Sequence, residues 1–297
     1  MNTLTLHPLP GSATLKAPVV DVDIGSSEGL GSAESRSAGM PARARAHYGP
    51  VSSESFLSHA FQASDAGVGR THNEDAILCR PDLGLFCVAD GMGGFNAGEV
   101  ASGLVLATIE RRLSSVSTEM DRASLESLLM SAISEANAAV LRTSARRPEC
   151  LGMGTTLALL WLTPLGIIHA HIGDSRLYSF QNGQLRRLSR DHVIEELPEV
   201  LRGRFGDENA ARKGILTRAI GAEALVEADY QWLKPEAGMD FLLCSDGLSD
   251  ALTDLDIQDN LSSPGANLAQ VLVEHALDQG AADNVSALVV SLSKVLG

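Results

Sequence analysis

The chain has 297 residues, 37 of them acidic and 23 basic, for a formal charge of −14. Such a length suits one large domain or two small ones once a tail is set aside, with ample chain for a core. The acidity counts against a broad nucleic-acid or anionic-membrane surface, because both need exposed basic residues. No nucleic-acid partner is therefore expected, although a local basic pocket is not excluded.

Cys79, Cys87, Cys150 and Cys244 form no C-x-x-C pair, and three of them lie in or beside apolar runs. They read as buried free thiols of a cytoplasmic protein, not as zinc ligands. The N-terminus shows no charged stretch followed by an apolar core, so no secretory signal is expected. From Cys150 to Gly173 there is no Asp, Glu, Lys or Arg. That is long enough to span a bilayer, but Thr163-Pro164-Leu165-Gly166 reads as a turn between two strands. A buried hairpin is expected there, with no membrane association.

In chain order, residues 1–52 are rich in Gly, Ser, Ala and Pro and read as a disordered tail. The folded part is expected over 53–297. Phe61 to Ser64 is a first strand, and Ala76 to Cys79 with Leu85 to Ala89 form a hairpin around Pro81-Asp82-Leu83-Gly84. Asn96 to Leu113 and Ser124 to Arg142 carry apolar stripes at helical spacing. Strands follow at Thr155 to Leu162, Ile167 to Ile172, Leu177 to Phe180 and Leu185 to Leu188, with Asn182-Gly183 as a hairpin turn. Residues 191–214 are polar and irregular and read as a mobile, flap-like insertion. Strands resume at Ala228 to Leu233 and Phe241 to Cys244, then a helix at Leu268 to Leu277 and a closing strand at Val285 to Leu292. Short turns between strands, with paired helices inserted, argue for antiparallel sheets covered by helices.

Four acidic clusters sit at the edges of these apolar runs: Asn73-Glu74-Asp75, Asp90-Gly91, Asp246-Gly247 and Asp283-Asn284. Carboxylates at the ends of buried strands are costly unless something compensates them. A pair of hard divalent cations would do so and would supply a hydrolytic reagent. The donors are all oxygens, which suits Mg²⁺ or Mn²⁺ better than zinc.

Seven motifs appear in one order: Gly67-Val68-Gly69-Arg70-Thr71-His72-Asn73-Glu74-Asp75, Val88-Ala89-Asp90-Gly91-Met92-Gly93-Gly94, Gly154-Thr155-Thr156, Gly173-Asp174-Ser175-Arg176, Leu216-Thr217-Arg218-Ala219-Ile220-Gly221, Ser245-Asp246-Gly247-Leu248 and Asp283-Asn284-Val285-Ser286. Over about residues 62 to 292 the chain resembles the bacterial form of the metal-dependent serine/threonine protein phosphatases, type 2C. One Asp-Gly dipeptide is weak, since it is also a turn signal; the ordered set is specific.

The resemblance implies an α+β fold, a four-layer αββα sandwich of two antiparallel β-sheets flanked by helices, with metals in a cleft at one end. It implies that Asp90 bridges two ions, that Glu74 and the carbonyl of Gly91 bind one, and that Asp246 and Asp283 bind the other. Asp75 and Asn284 would orient ligands or waters. Asp174 would join Asp246 around a weaker third ion, against the plainer reading of a turn aspartate. Arg70 resembles the family's phosphate-holding arginine, whose guanidinium takes two oxygens at once; the alternative is a salt bridge to a nearby acid. Many eukaryotic members have a histidine where this chain has Met92, so the leaving group must take its proton from elsewhere. His169 and His171 share a strand face but lack a third ligand and read as structural. Arg176 reads as half of an ion pair, and Thr155 and Thr156 as strand residues near the cleft.

The implied activity is hydrolysis of phosphoserine and phosphothreonine on proteins by a metal-bridging water, without a phosphoenzyme. The implied partners are phosphoprotein substrates and a cognate serine/threonine kinase, with the enzyme a monomer. Two alternatives stay open: an inactive type 2C module that only binds a partner, and a different two-metal esterase acting on nucleotides or nucleic acid. The complete set Glu74, Asp90, Asp246 and Asp283 opposes the first. The acidity and the lack of an aromatic-basic stripe oppose the second.

Overall fold

The computed structural model describes residues 44–47, 56–94, 97–114, 116, 119–194, 214–263 and 267–294. The strands are β1 (Ala44–His47), β2 (Phe56–Asp65), β3 (Ala76–Arg80), β4 (Leu85–Ala89), β5 (Gly91–Met92), β6 (Gly154–Thr155), β7 (Leu157–Thr163), β8 (Gly166–Ile172), β9 (Arg176–Gln181), β10 (Gln184–Arg187), β11 (Asp229–Leu233), β12 (Asp240–Cys244) and β13 (Val285–Lys294). The helices are α1 (Ala97–Leu113), α2 (Arg122–Arg146), α3 (Asp246–Ala251), α4 (Asp254–Ser262) and α5 (Leu268–Asp278).

One sheet has the order β1-β2-β13-β12-β9-β10, the other β11-β8-β7-β4-β3, and β5 pairs with β6 in a short ribbon. Every pairing is antiparallel. Successive side chains of a strand point to opposite faces, and the core follows that rule. From β4, Leu85, Cys87 and Ala89 pack toward α1 and α2, while Phe86 and Val88 pack between the sheets. From β12, Phe241 and Leu243 face the other sheet, while Leu242 and Cys244 face α3, α4 and α5. Three cores between four layers result, which is the αββα sandwich. The apolar stretch before Gly173 contains the β7–β8 hairpin, whose two strands are buried along their whole length and whose turn at Pro164 and Leu165 reaches the surface. No described helix is long and apolar enough to cross a membrane.

Local chemistry explains the turns and helix starts. Asn182 and Gly183 both take positive φ, 53° and 74°, as a two-residue hairpin requires. The Asp121 side chain accepts from Ser124 N to start α2, and Thr253 with Asp256 makes a capping box for α4.

Several elements differ from expectation. The expected strand at Phe61 to Ser64 is part of β2, ten residues long and paired with β13 along its whole length; its polar Ser58, His59 and Gln62 hide it from an apolar-run search. Helix α2 exceeds the expected Ser124 to Arg142 at both ends. Helices α3 and α4 were not expected, because Asp-rich segments show little apolar periodicity. Strand β1 lies inside the expected tail and pairs with β2. The rest of residues 1–52, Asn96 and residues 195–213 of the flap-like insertion lie outside the described residues. The described ends of that insertion meet: Ile194 N donates to Ile215 O and Thr217 N to His192 O.

Candidate active site

Antiparallel pairing brings the acidic clusters to one end of both sheets. The register pairs Ala76 with Ala89, Leu157 with Ile172, and Cys244 with both Arg176 and Ala287. Hence Glu74 and Asp75 before β3, Asp90 after β4, Asp174 after β8, Asp246 after β12 and Asp283 before β13 share that end. The structure brings together all the expected carboxylates and Gly91.

Backbone hydrogen bonds fix the approach of each. Thr155 Oγ1 donates to Asp90 O at 2.8 Å, Thr156 N donates to the same oxygen at 2.9 Å, and Asp90 N donates to Thr156 Oγ1 at 2.9 Å. The Gly-Thr-Thr motif therefore clamps the backbone of Asp90, a role its strand position did not reveal. Buried Asn284 accepts from Glu74 N at 2.8 Å and donates to His72 O and Ala66 O. Ser102 on α1 donates to Glu74 O at 2.7 Å, and Ser245 donates to Asp75 Oδ2 at 2.8 Å. Ser102 and Ser245 were not singled out in the sequence; Ser245 had a signal, as the residue opening Ser-Asp-Gly-Leu.

The electrostatics are those of carboxylates crowded out of water. Burial first, and then the nearby Asp246 and Asp283, push the Asp75 carboxyl up to about 6. Burial lifts Asp90 well above the usual carboxylate range, reinforced by Asp75, Asp246 and Asp174. Asp174 rises to about 7, first through burial and then through Asp246. Asp246 is raised by burial first, with the neighbouring carboxylates of Asp250 and Asp283 adding to it. Oδ1 of Asp75 and Oδ1 of Asp246 are shut off from solvent without a hydrogen-bond partner. Buried acceptors of this kind demand a cation or a donor. An all-oxygen donor set with orphaned carboxylate oxygens fits a pair of hard divalent cations.

Arg70 lies at the rim, on the loop that packs against residues 281–283 through Val68 N to Ala281 O and Gly69 N to Ala282 O. Its guanidinium donates to Asp283 Oδ2 at 2.8 Å, with half of the side chain exposed. A cavity of about 610 Å³ opens there, lined by Arg70, Asp246, Asp250 and Asp283 among others.

Other expected residues play structural parts. Arg176 makes an ion pair with Asp191, which Arg187 also engages. His171, His192 and Asp229 lie close enough together to hold an ion. The lone pair of His192 is already committed, whereas Nδ1 of His171 is buried without a hydrogen-bond partner. Gly173 N donates to His192 Nδ1, so His192 carries its proton on Nε2, toward Asp229, and Arg218 sits beside that nitrogen. At the base of the insertion His192 pairs with Asp229 and stacks on His171, which bonds Arg190 O, and His169 is buried near His171.

A family profile described as "Protein phosphatase 2C" matches residues 67–286. The serine/threonine phosphatase stp of Listeria welshimeri is 33% identical over 241 residues, 78% of this chain and 95% of that protein. The serine/threonine protein phosphatase PstP of Mycobacterium tuberculosis is 35% identical over 230 residues, 76% of this chain and 43% of that protein. Among solved structures, the catalytic domain of PstP in complex with 2 manganese ions is 33% identical with a TM-score of 0.69, covering 80% of this chain and 99% of that one. PppA of Pseudomonas aeruginosa is also 33% identical with a TM-score of 0.69, over 79% and 97% of the two chains. The chain belongs to the protein phosphatase 2C family.

Proposed function

We propose that the chain hydrolyses phosphoserine and phosphothreonine esters on proteins, using two divalent cations held at the common end of the sheets. The observation that carries this reading is the convergence of Glu74, Asp75, Asp90, Asp246 and Asp283 around carboxylate oxygens that have no partner. Family membership favours the active reading over an inactive binding module.

Asp90 would bridge the two ions, Glu74 and the Gly91 carbonyl would hold one, and Asp246 and Asp283 would hold the other. Bound Mg²⁺ or Mn²⁺ supplies an activated water and offsets charge on the phosphoryl oxygens. The chain's residues do the rest. Thr155 and Thr156 hold the Asp90 backbone, Asn284 and Ser102 hold Glu74, and Asp75 orients what binds beside it through Ser245. Arg70 exchanges part of its contact with Asp283 for the phosphate. Asp174, within electrostatic reach of Asp246, would help to hold a weaker third ion. The protein acts as a cytoplasmic monomer opposed to a serine/threonine kinase.

The test is Mn²⁺-dependent phosphate release from phosphoserine peptides by the wild type and by Asp90→Ala. The variant is expected to stay folded and to lose more than about a hundredfold in kcat/KM, since it lacks the bridge between the ions. Activity within about tenfold of wild type, in a folded and metal-loaded variant, would be fatal to the bridging role.

A further inference from the structure

Beside the carboxylate cleft, away from its Arg70 rim, a groove of about 550 Å³ runs between Met92 and the segment 216–227. Met92 lies two residues past Asp90, and Cα atoms two residues apart are within about 7 Å. A polypeptide whose phosphorylated residue reached Asp90 would have its neighbouring side chains at this groove.

The far wall is built in advance. Thr155 and Ile220 exchange backbone hydrogen bonds at 3.0 and 2.9 Å. Asn137, buried on α2, accepts from Gly221 N at 2.7 Å and donates to Glu223 O at 2.9 Å and Ala224 O at 3.3 Å. Gly221 takes a φ of +92°, and a Cβ there would meet Val140 Cγ1 at 2.4 Å. A buried amide whose bonds all go to one loop fixes that loop's shape.

Two features of the wall contribute nothing to the core. Leu225 is 83% exposed, the most exposed large apolar side chain among the described residues. Glu223 and Glu227 are exposed, and no ion pair among the described residues engages either. The cation lining the groove, Arg218, is committed to Asp229 at 2.6 Å. The groove therefore offers an apolar contact flanked by two carboxylates that no cation among the described residues pairs with.

We propose that this groove binds the polypeptide flanking the phosphorylated residue, and selects segments in which an apolar side chain, laid on Leu225 and Met92, neighbours a lysine or arginine facing Glu223 and Glu227. The inference rests on the phosphatase reading and adds a substrate preference to it. Acidic flanking segments are disfavoured by the same carboxylates, in keeping with the use of like-charge contacts for specificity.

The experiment uses the full chain with Mn²⁺ and three substrates. Two are phosphoserine peptides identical except that flanking Lys and Arg in one are Glu in the other; the third is para-nitrophenyl phosphate, which has no flanking polypeptide. The wild type should favour the basic peptide by about fivefold to tenfold in kcat/KM, the scale of two exposed charge pairs. The double variant E223K/E227K should reverse that order, and Leu225→Ser should lower kcat/KM on both peptides. Both variants should hydrolyse the aryl phosphate as the wild type does. A peptide ratio that is the same in the wild type and the double variant, with aryl phosphate turnover intact, overturns the groove assignment and leaves the phosphatase reading standing. A metal-loaded wild type that turns over none of the three substrates refutes both.

Discussion

The Arg70 guanidinium shows why a single residue's role was harder to read than its neighbourhood. The motif before Asn73-Glu74-Asp75 gave its position, but both readings of it, phosphate holder and partner of an acid, place it at the same rim. The structure pairs it with Asp283, half exposed, where a surface pair is weak enough to be exchanged for a phosphate. Arg70→Ala is expected to raise KM for phosphopeptides and to weaken inhibition by inorganic phosphate, with Arg70→Lys restoring part of both, since an ammonium cannot make the forked contact. Unchanged phosphate inhibition in the alanine variant would show that the Asp283 pair is its whole role. Asp174 separates along a different axis. It faces Asp246, Asp191 and Asp250, so an ion there would keep most of its waters and bind weakly. Met92 has no proton to give, and a leaving alkoxide needs one. Asp174→Ala should therefore keep two tightly bound metals by calorimetry. It should lose more turnover on phosphopeptides than on an aryl phosphate, whose leaving group is already stable. Equal losses on the two substrates would remove any part for Asp174 in leaving-group protonation.

At the scale of elements, strands were legible where both faces are buried, as in β4, β7 and β8, because an unbroken apolar run has few other uses. Strand β2 and helices α3 and α4 were obscure because tertiary contacts, not periodicity, hold them: β2 by ten residues of pairing to β13, and α3 by packing against β13 and α5. The carboxylates were legible as a set because each ends an apolar run, whereas Ser102 and Asn137 lie inside helices, where nothing in sequence marks the partner that each reaches. Helix α1 also carries a contact that no pattern reveals. A Cβ on Gly98 would lie 2.6 Å from Gly91 C and O and 2.8 Å from Glu74 Cδ. The helix thus rests directly on a carbonyl and a carboxylate assigned to one ion. Gly98→Ala must push α1 away or displace both groups, and it is expected to weaken Mn²⁺ binding by at least about tenfold. Gly103, on the same helix, has nothing within 4 Å of such a Cβ. Gly103→Ala should raise stability by about 0.5–1 kcal/mol through helix propensity alone and leave metal binding unchanged. Equal metal affinity in the two variants would show that the α1 contact does not support the site.

The whole molecule sets two groups of buried titratable residues against each other. The carboxyls of Asp75 and Asp174 stand at about 6 and about 7 in the folded chain, against an ordinary 3.8, and burial is the first cause in both. Asp90 and Asp246 are raised as well. For a raised acid the folded state holds the proton longer than the unfolded one. The stability it contributes is present below the ordinary value and is lost as pH rises through 6 and 7. The histidines act in the opposite sense. Burial holds His169 and His192 down to about 4, so the unfolded state takes up protons first and stability is lost as pH falls from 6.5 through 4. In the metal-free protein these contributions partly cancel, and its melting temperature alone would conceal both. Divalent metal acts on only one of them: the histidine contribution is common to free and loaded protein, while protons and metal compete for the carboxylates. The gap in melting temperature between Mn²⁺-loaded and chelator-treated protein should therefore widen steadily from about pH 5 to about pH 8 at fixed metal concentration. The wild-type gap should collapse across the whole range in Asp90→Asn, which keeps the shape of the site but removes the bridging charge. A gap that stays constant with pH in the wild type would mean that the metal binds away from the raised carboxyls, and the assignment of Asp75, Asp90, Asp174 and Asp246 to one centre would fall with it.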